Sequence, residues 1–125
     1  MTRLALLLCV LALPTLAQTT AIVQAPGGVV RWLDKVSGEL ADIDLARGQS
    51  VVKGRLTIQL DECRYPYDDP ASNAYAHLTV VDSLNHNTPV FSGWMIASSP
   101  ALSAMDHPRY DVWILRCDTD LVVGE

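Results

Sequence analysis

The stretch from Phe91 to Cys117, FSGWMIASSPALSAMDHPRYDVWILRC, constrains this chain more than any other. It carries two of the three Trp, two of the three Met, one of the four Tyr and the only Phe. It reads as strand, one helical turn, then strand. Val90 to Ile96 sets Ser92, Trp94 and Ile96 on one face and Phe91, Gly93 and Met95 on the other. Large apolar groups on both faces predict a central strand. Ser98-Ser99-Pro100 is a helix-start signal, a Ser cap with Pro at the first helical position. The turns run through Met105 and stop at Asp106-His107-Pro108. Tyr110 to Cys117 is the closing strand, apolar on both sides at Val112, Trp113, Ile114 and Leu115.

Upstream the signals are also those of strands. Val29 to Leu33 (VVRWL) is β-branched and aromatic. Glu39 to Ala46 alternates, with a slip between Leu40 and Ile43 that predicts a bulge. Ser50 to Leu60 sets Leu56, Ile58 and Leu60 on one face against Arg55, Thr57 and Gln59, the pattern of an antiparallel sheet wetted on one side. Gly54 splits that run into a short arm and a longer strand. Cys63 lies on the opposite parity from Leu56, so the strand must end or bulge near Asp61 if the cysteine is to turn inward. Arg64 to Asn73 (RYPYDDPASN) has loop composition. Tyr75 to Val81 is a strand with Ala76, Leu78 and Val80 on one face. These short strands and one minor helical turn predict an all-β fold, a small antiparallel sandwich or barrel.

The start of the chain predicts export. Arg3 precedes an apolar run, LALLLCVLALPTLA, shorter than the ~20 residues of a membrane span. Thr15-Leu16-Ala17 ends it with a small residue before a cut. The expected organisation is a signal peptide at 1–17, a flexible mature terminus at 18–27, one β domain at 28–118 and a tail at 119–125. Cys9 leaves with the leader, and the remaining pair, Cys63 and Cys117, reads as one disulfide in an oxidising compartment. Closing that loop is worth ~4 kcal/mol on the chain-entropy model. The rival reading is a reactive thiol, which needs a base, and neither cysteine has a His beside it in sequence. Without Arg3 the chain keeps 8 basic and 14 acidic residues, a net charge of −6. The basic residues are scattered singly, which argues against nucleic acid and anionic lipid as partners.

Candidate chemistry is sparse. His77, His86 and His107 match no metal-ligand spacing, so no metal and no cofactor is expected. Ser98 or Ser99 with Asp106, His107 and Asp111 assembles on paper into a hydrolase triad. The serines lack a nucleophile-elbow context and have a simpler role as helix caps. Aromatic residues suggest binding instead. Tyr65 and Tyr67 fall in a polar loop beside Asp68 and Asp69, and with Trp94 they are the candidate contact residues for a partner or a sugar. The competing readings are a solvated turn for the two aspartates and a core position for Trp94.

The closing stretch, with F-x-G-W-M, a small-residue turn, H-P-x-Y-D-V-W and Cys117, resembles an uncharacterised family. RWLDKVSGELADID and Cys63 belong to the same likeness, which covers roughly Val29 to Cys117. The family is the exported alphaproteobacterial proteins known as domain of unknown function 2155. The resemblance implies a periplasmic home and no established activity, and it brings no catalytic residues. Such genes often sit near accessory subunits of respiratory complex I, which points to that complex as a partner. The expectation is therefore a non-enzymatic accessory or interaction protein of the cell envelope, with a carbohydrate- or small-ligand-binding module as the alternative.

Overall fold

A computed structural model of the protein describes residues 11–14 and 21–119. Most of the expected leader, Cys9, the cut after Ala17 and the tail beyond residue 119 lie outside the described residues. Two antiparallel sheets face each other across one core. The larger contains β1 (Ile22–Gln24), β4 (Ser50–Lys53), β5 (Leu56–Pro66), β6 (Tyr75–Asp82) and β7 (Phe91–Ile96), in the order β1-β5-β6-β7 with β4 also on β5. The smaller contains β2 (Gly27–Asp34), β3 (Leu40–Ala46) and β8 (Tyr110–Cys117), in the order β3-β2-β8. The fold is thus the sandwich, with one 3₁₀ turn at Pro100–Ser103.

Alternation along the strands builds the core. Leu56, Ile58, Leu60, Leu78 and Val80 from the large sheet meet Val30, Trp32, Val112 and Ile114 from the small one. Period-two burial is what a sheet with one wet face requires. The register of β5 against β6 shifts between Leu60 and Glu62, leaving Asp61 as the extra residue of a bulge. That insertion reverses parity, so Cys63 and Tyr65 turn inward after Leu60. Cys63 then reaches Cys117 with Cα atoms 5.6 Å apart, and the disulfide ties β5 to β8 across the two sheets. Gly28 sits beside the bridge, where a Cβ would come within 3.0 Å of Cys63 Sγ and 2.9 Å of the Arg116 carbonyl. Gly54 closes the β4–β5 hairpin with φ +60°, and a Cβ there would meet the Tyr110 hydroxyl at 2.7 Å. Backbone and space both select glycine at that turn.

Several expectations are corrected by the packing. Residues 22–24 are not an unpacked terminus: β1 pairs with Arg64, Tyr65 and Pro66, the end of β5. The loop assigned to Arg64–Asn73 therefore begins only after Pro66. β3 runs in unbroken register with β2, so no bulge lies between Leu40 and Ile43. Ala41, Ile43 and Leu45 face inward, and Leu40 stays 52 % exposed at the hairpin end. β7 is the edge of its sheet, not a central strand, because β6 pairs it on one side and no described strand pairs it on the other. β8 is likewise an edge, with Val112 and Ile114 inward and Trp113 only half-buried. Ser99 precedes the 3₁₀ turn without a side-chain capping bond, so the cap reading fails there.

Candidate functional site

Buried polar groups are the unusual feature of any core, and the described residues hold three: Asp34, Asp82 and His107. They meet around Tyr110 at one end of the sandwich. Asp82 Oδ2 accepts from His107 Nε2 at 2.8 Å and from Arg55 Nη2 at 3.1 Å, and Oδ1 accepts the Leu84 amide at 3.0 Å. His107 Nδ1 accepts the Arg109 and Tyr110 amides at 3.0 and 3.1 Å. Acceptance at Nδ1 places the ring proton on Nε2, where it is donated to Asp82. Asp34 accepts from Arg109 Nη2 at 3.0 Å and from the Val36 amide at 2.9 Å. Arg55 and Arg109 both lie over the Tyr110 ring, at 5.7 and 5.3 Å. The Leu84 amide, then His107 and Arg55, hold Asp82 down at about 2. Arg109, with the two turn amides, holds Asp34 well below the usual carboxylate range.

This cluster stitches the sheets together instead of addressing solvent. Both ring nitrogens of His107 are engaged, and its carboxylate partner is Asp82 rather than Asp106 or Asp111. Asp111 faces Lys35 at 3.8 Å. The Ser98 and Ser99 amides go to Asn73 Oδ1 and the Ile96 carbonyl. The paper triad is therefore not brought together around His107. Among the described residues, no three His, Cys, Asp or Glu side chains gather to hold a metal.

The accessible chemistry lies on the outward face of the large sheet. Trp94 on β7 is 40 % exposed. Arg64 reaches across from β5 to lie 5.1 Å over its ring, and His77 on β6 meets it edge-on at 5.3 Å. Glu62 accepts from Arg64 at 2.8 Å. Asp61, freed by the bulge, takes His77 Nδ1 and Thr79 Oγ1, each at 2.7 Å. Ile22, Tyr75 and Ile96 complete an open groove of about 330 Å³. A more enclosed cleft of about 220 Å³ lies under the 3₁₀ turn, between Met95, Met105, Val112 and Trp113. Its polar lining is limited to Ser103 and Asp111, short of the convergent donors that fix a small molecule.

Trp94 thus sits in the groove. Tyr67 is 67 % exposed just beyond β5, and its amide donates to the Ala21 carbonyl. Asp68 and Asp69 are exposed in a turn that Ser72 closes onto the Asp69 carbonyl. Tyr65 is corrected: it is 6 % exposed and packs into the core, because the Asp61 bulge turns odd positions inward. Arg64 escaped the sequence reading, since an Arg at a presumed loop start carries no binding signature.

A second ionisable site lies where β8 ends. Partial burial, and next the neighbouring Asp44 carboxylate, push Asp118 up to about 6. The folded state then binds a proton that the unfolded chain has released above about pH 4. Stability from this group is present at low pH and lost as pH rises through about 6. Asp118→Asn is expected to stabilise the protein by ~1–2 kcal/mol at pH 7, discounted for solvent screening, and not at pH 3. Urea unfolding at the two pH values checks this; equal effects at both would refute it.

Fold and site together define a small all-β domain, closed by a cross-sheet disulfide, with an arginine–aromatic platform on one open sheet face. The chain belongs to the family described as "Uncharacterized protein conserved in bacteria (DUF2155)", whose model matches residues 28–117. It is similar to an uncharacterized protein of Rickettsia prowazekii (strain Madrid E), 28 % identical over 92 residues, or 72 % of this chain. The match covers 59 % of that relative's length. No solved structure matches. No helix among the described residues is long and apolar enough to cross a membrane.

Proposed function

We propose that this protein is exported to the periplasm and works there as a non-enzymatic interaction domain of the cell envelope. The Trp94–Arg64 face is its contact surface. The observation that carries this reading is the open groove of Ile22, Arg64, Tyr75, Trp94 and Ile96. Trp, Tyr and Arg are the residue types that dominate interface energetics, and here they share one solvent-facing patch. The buried ionisable groups meanwhile serve each other. The partner is expected to be another envelope protein, and the family resemblance points to an association with respiratory complex I.

The test is a photo-crosslinking residue in place of Tyr75, at the centre of the groove, with the envelope fraction read by mass spectrometry. One dominant envelope protein is expected. Trp94→Ala should weaken its binding by about 2 kcal/mol, roughly thirty-fold. A folded, oxidised protein that captures no envelope protein would count against the reading. The exposure of both Trp94 and Tyr67 favours a second reading, a carbohydrate-binding module. It requires a change in tryptophan fluorescence on titration with cell-wall sugars, lost in Trp94→Phe.

A further inference from the structure

Sheet edges expose unpaired main-chain groups, and proteins blunt them with charge, proline, bulges or brevity. Most edges here are blunted in that way. β1 has three residues and β4 has four, the latter ending on Lys53. β3 carries Asp42 and Asp44. β8 carries Asp111 and Arg116 and is interrupted where its register shifts against Val29 and Val30. β7, FSGWMI, has none of these protections: it is uncharged, free of proline and in unbroken register with β6.

The hydrogen-bond phase shows which groups are free. The Ala97 amide donates to the Ala74 carbonyl just beyond the Tyr75↔Ile96 pair, so that pair is of the non-hydrogen-bonded kind. Alternation then points the N–H and C=O of Phe91, Gly93 and Met95 at β6, and those of Ser92, Trp94 and Ile96 away from it. Among the described residues, only Ser99 uses one of these outward groups, donating its amide to the Ile96 carbonyl.

We propose that β7 pairs antiparallel with β7 of a second copy, about a two-fold axis at Trp94. The outward phase makes Trp94 hydrogen-bond with its own counterpart, while Ser92 faces Ile96 of the other copy. The strand is self-complementary in this register because no charge meets a like charge. The nearest cation, Arg64, is already neutralised by Glu62 at 2.8 Å. Opposed Trp94 rings would form the kind of aromatic cross-strand pair that stabilises antiparallel ladders. The two large sheets become one continuous sheet, closing on itself as isologous contacts do. A six-residue edge buries less than the ~1,200 Å² of a stable interface, so the dimer is expected to be weak, with Kd on the order of micromolar.

Sedimentation equilibrium of the oxidised protein, from micromolar to near-millimolar, tests the association. A reversible monomer–dimer transition is expected. Ser92→Pro removes an outward N–H that β6 does not use, and is tolerated on an edge strand. It should raise Kd at least about tenfold. Register is read by cysteine crosslinking: Trp94→Cys should oxidise to a covalent dimer, because a hydrogen-bonded pair holds Cα atoms about 5.5 Å apart. Ser92→Cys should not. Circular dichroism matching the parent keeps each variant interpretable. A monomer at every concentration, a dimer indifferent to Ser92→Pro, or equal crosslinking at both positions would overturn the proposal.

Discussion

Replacing both Cys63 and Cys117 with alanine is expected to lower the unfolding free energy by ~4 kcal/mol. The bridge closes a sequence separation of 54 residues, and on the chain-entropy model its main effect is on the unfolded ensemble. Domains of this size have only ~5–15 kcal/mol in total, so the loss is a large share. For a domain of about 100 residues it corresponds to a Tm drop on the order of 20 °C. Position matters as well as loop length. Cys63 lies on β5 and Cys117 on β8, so the bridge holds the two sheets face to face beside Gly28. Thermal unfolding of the double variant beside the oxidised parent measures the effect. A difference under about 1 kcal/mol would mean that the sheets hold each other without it.

The second large effect belongs to Asp82. Asp82→Ala removes the acceptor for His107 Nε2 and Arg55 Nη2 and strands a buried donor on the histidine. Breaking such a pair from one side is expected to destabilise by about 3 kcal/mol. Asp82→Asn keeps an acceptor of the same size and should be milder. Because the Asp82 pKa is depressed to about 2, its contribution is full above about pH 4 and disappears as pH falls through about 2. The difference between parent and Asp82→Ala in urea midpoint should therefore shrink between pH 5 and pH 2. A difference that stays constant over that window would show that the charge on Asp82 is not what the cluster uses. Asp34 acts in the same direction and Asp118 in the opposite one.

The strands were legible because alternation is a local property. Leu56, Ile58 and Leu60 share a face by spacing alone, and so do Ala76, Leu78 and Val80. An end or a bulge near Asp61 could also be read, since Cys63 cannot face inward without a change of parity after Leu60, and the register shows that it is a bulge. The same reasoning failed one step further on. With the bulge in place, Tyr65 must also turn inward, and composition had assigned it to a loop. β7 was misplaced for a related reason: Trp94 and Met95 on opposite faces suit a central strand, but periodicity does not count neighbours.

The binding face was only partly legible. Trp94 and Tyr67 were candidates from residue type, whereas Arg64 became one only when the β5–β6–β7 register carried its guanidinium over the indole. The buried cluster was illegible: Asp82 and His107 are 25 positions apart, and Asp34 and Arg109 are 75 apart. Such partners are chosen by how two sheets stack, and no local pattern encodes that.

Taken by itself, the sequence determined the all-β class, the alternating core positions, the break at Gly54 and the pairing of Cys63 with Cys117. Each follows from chemistry within a few residues or from the scarcity of cysteine. Tertiary structure alone decided that β7 is an edge, that Trp94 faces solvent under Arg64, and that His107 is bound to Asp82. Those outcomes depend on strand order and sheet packing, which are set by the summed burial of distant side chains rather than by any one segment's preference.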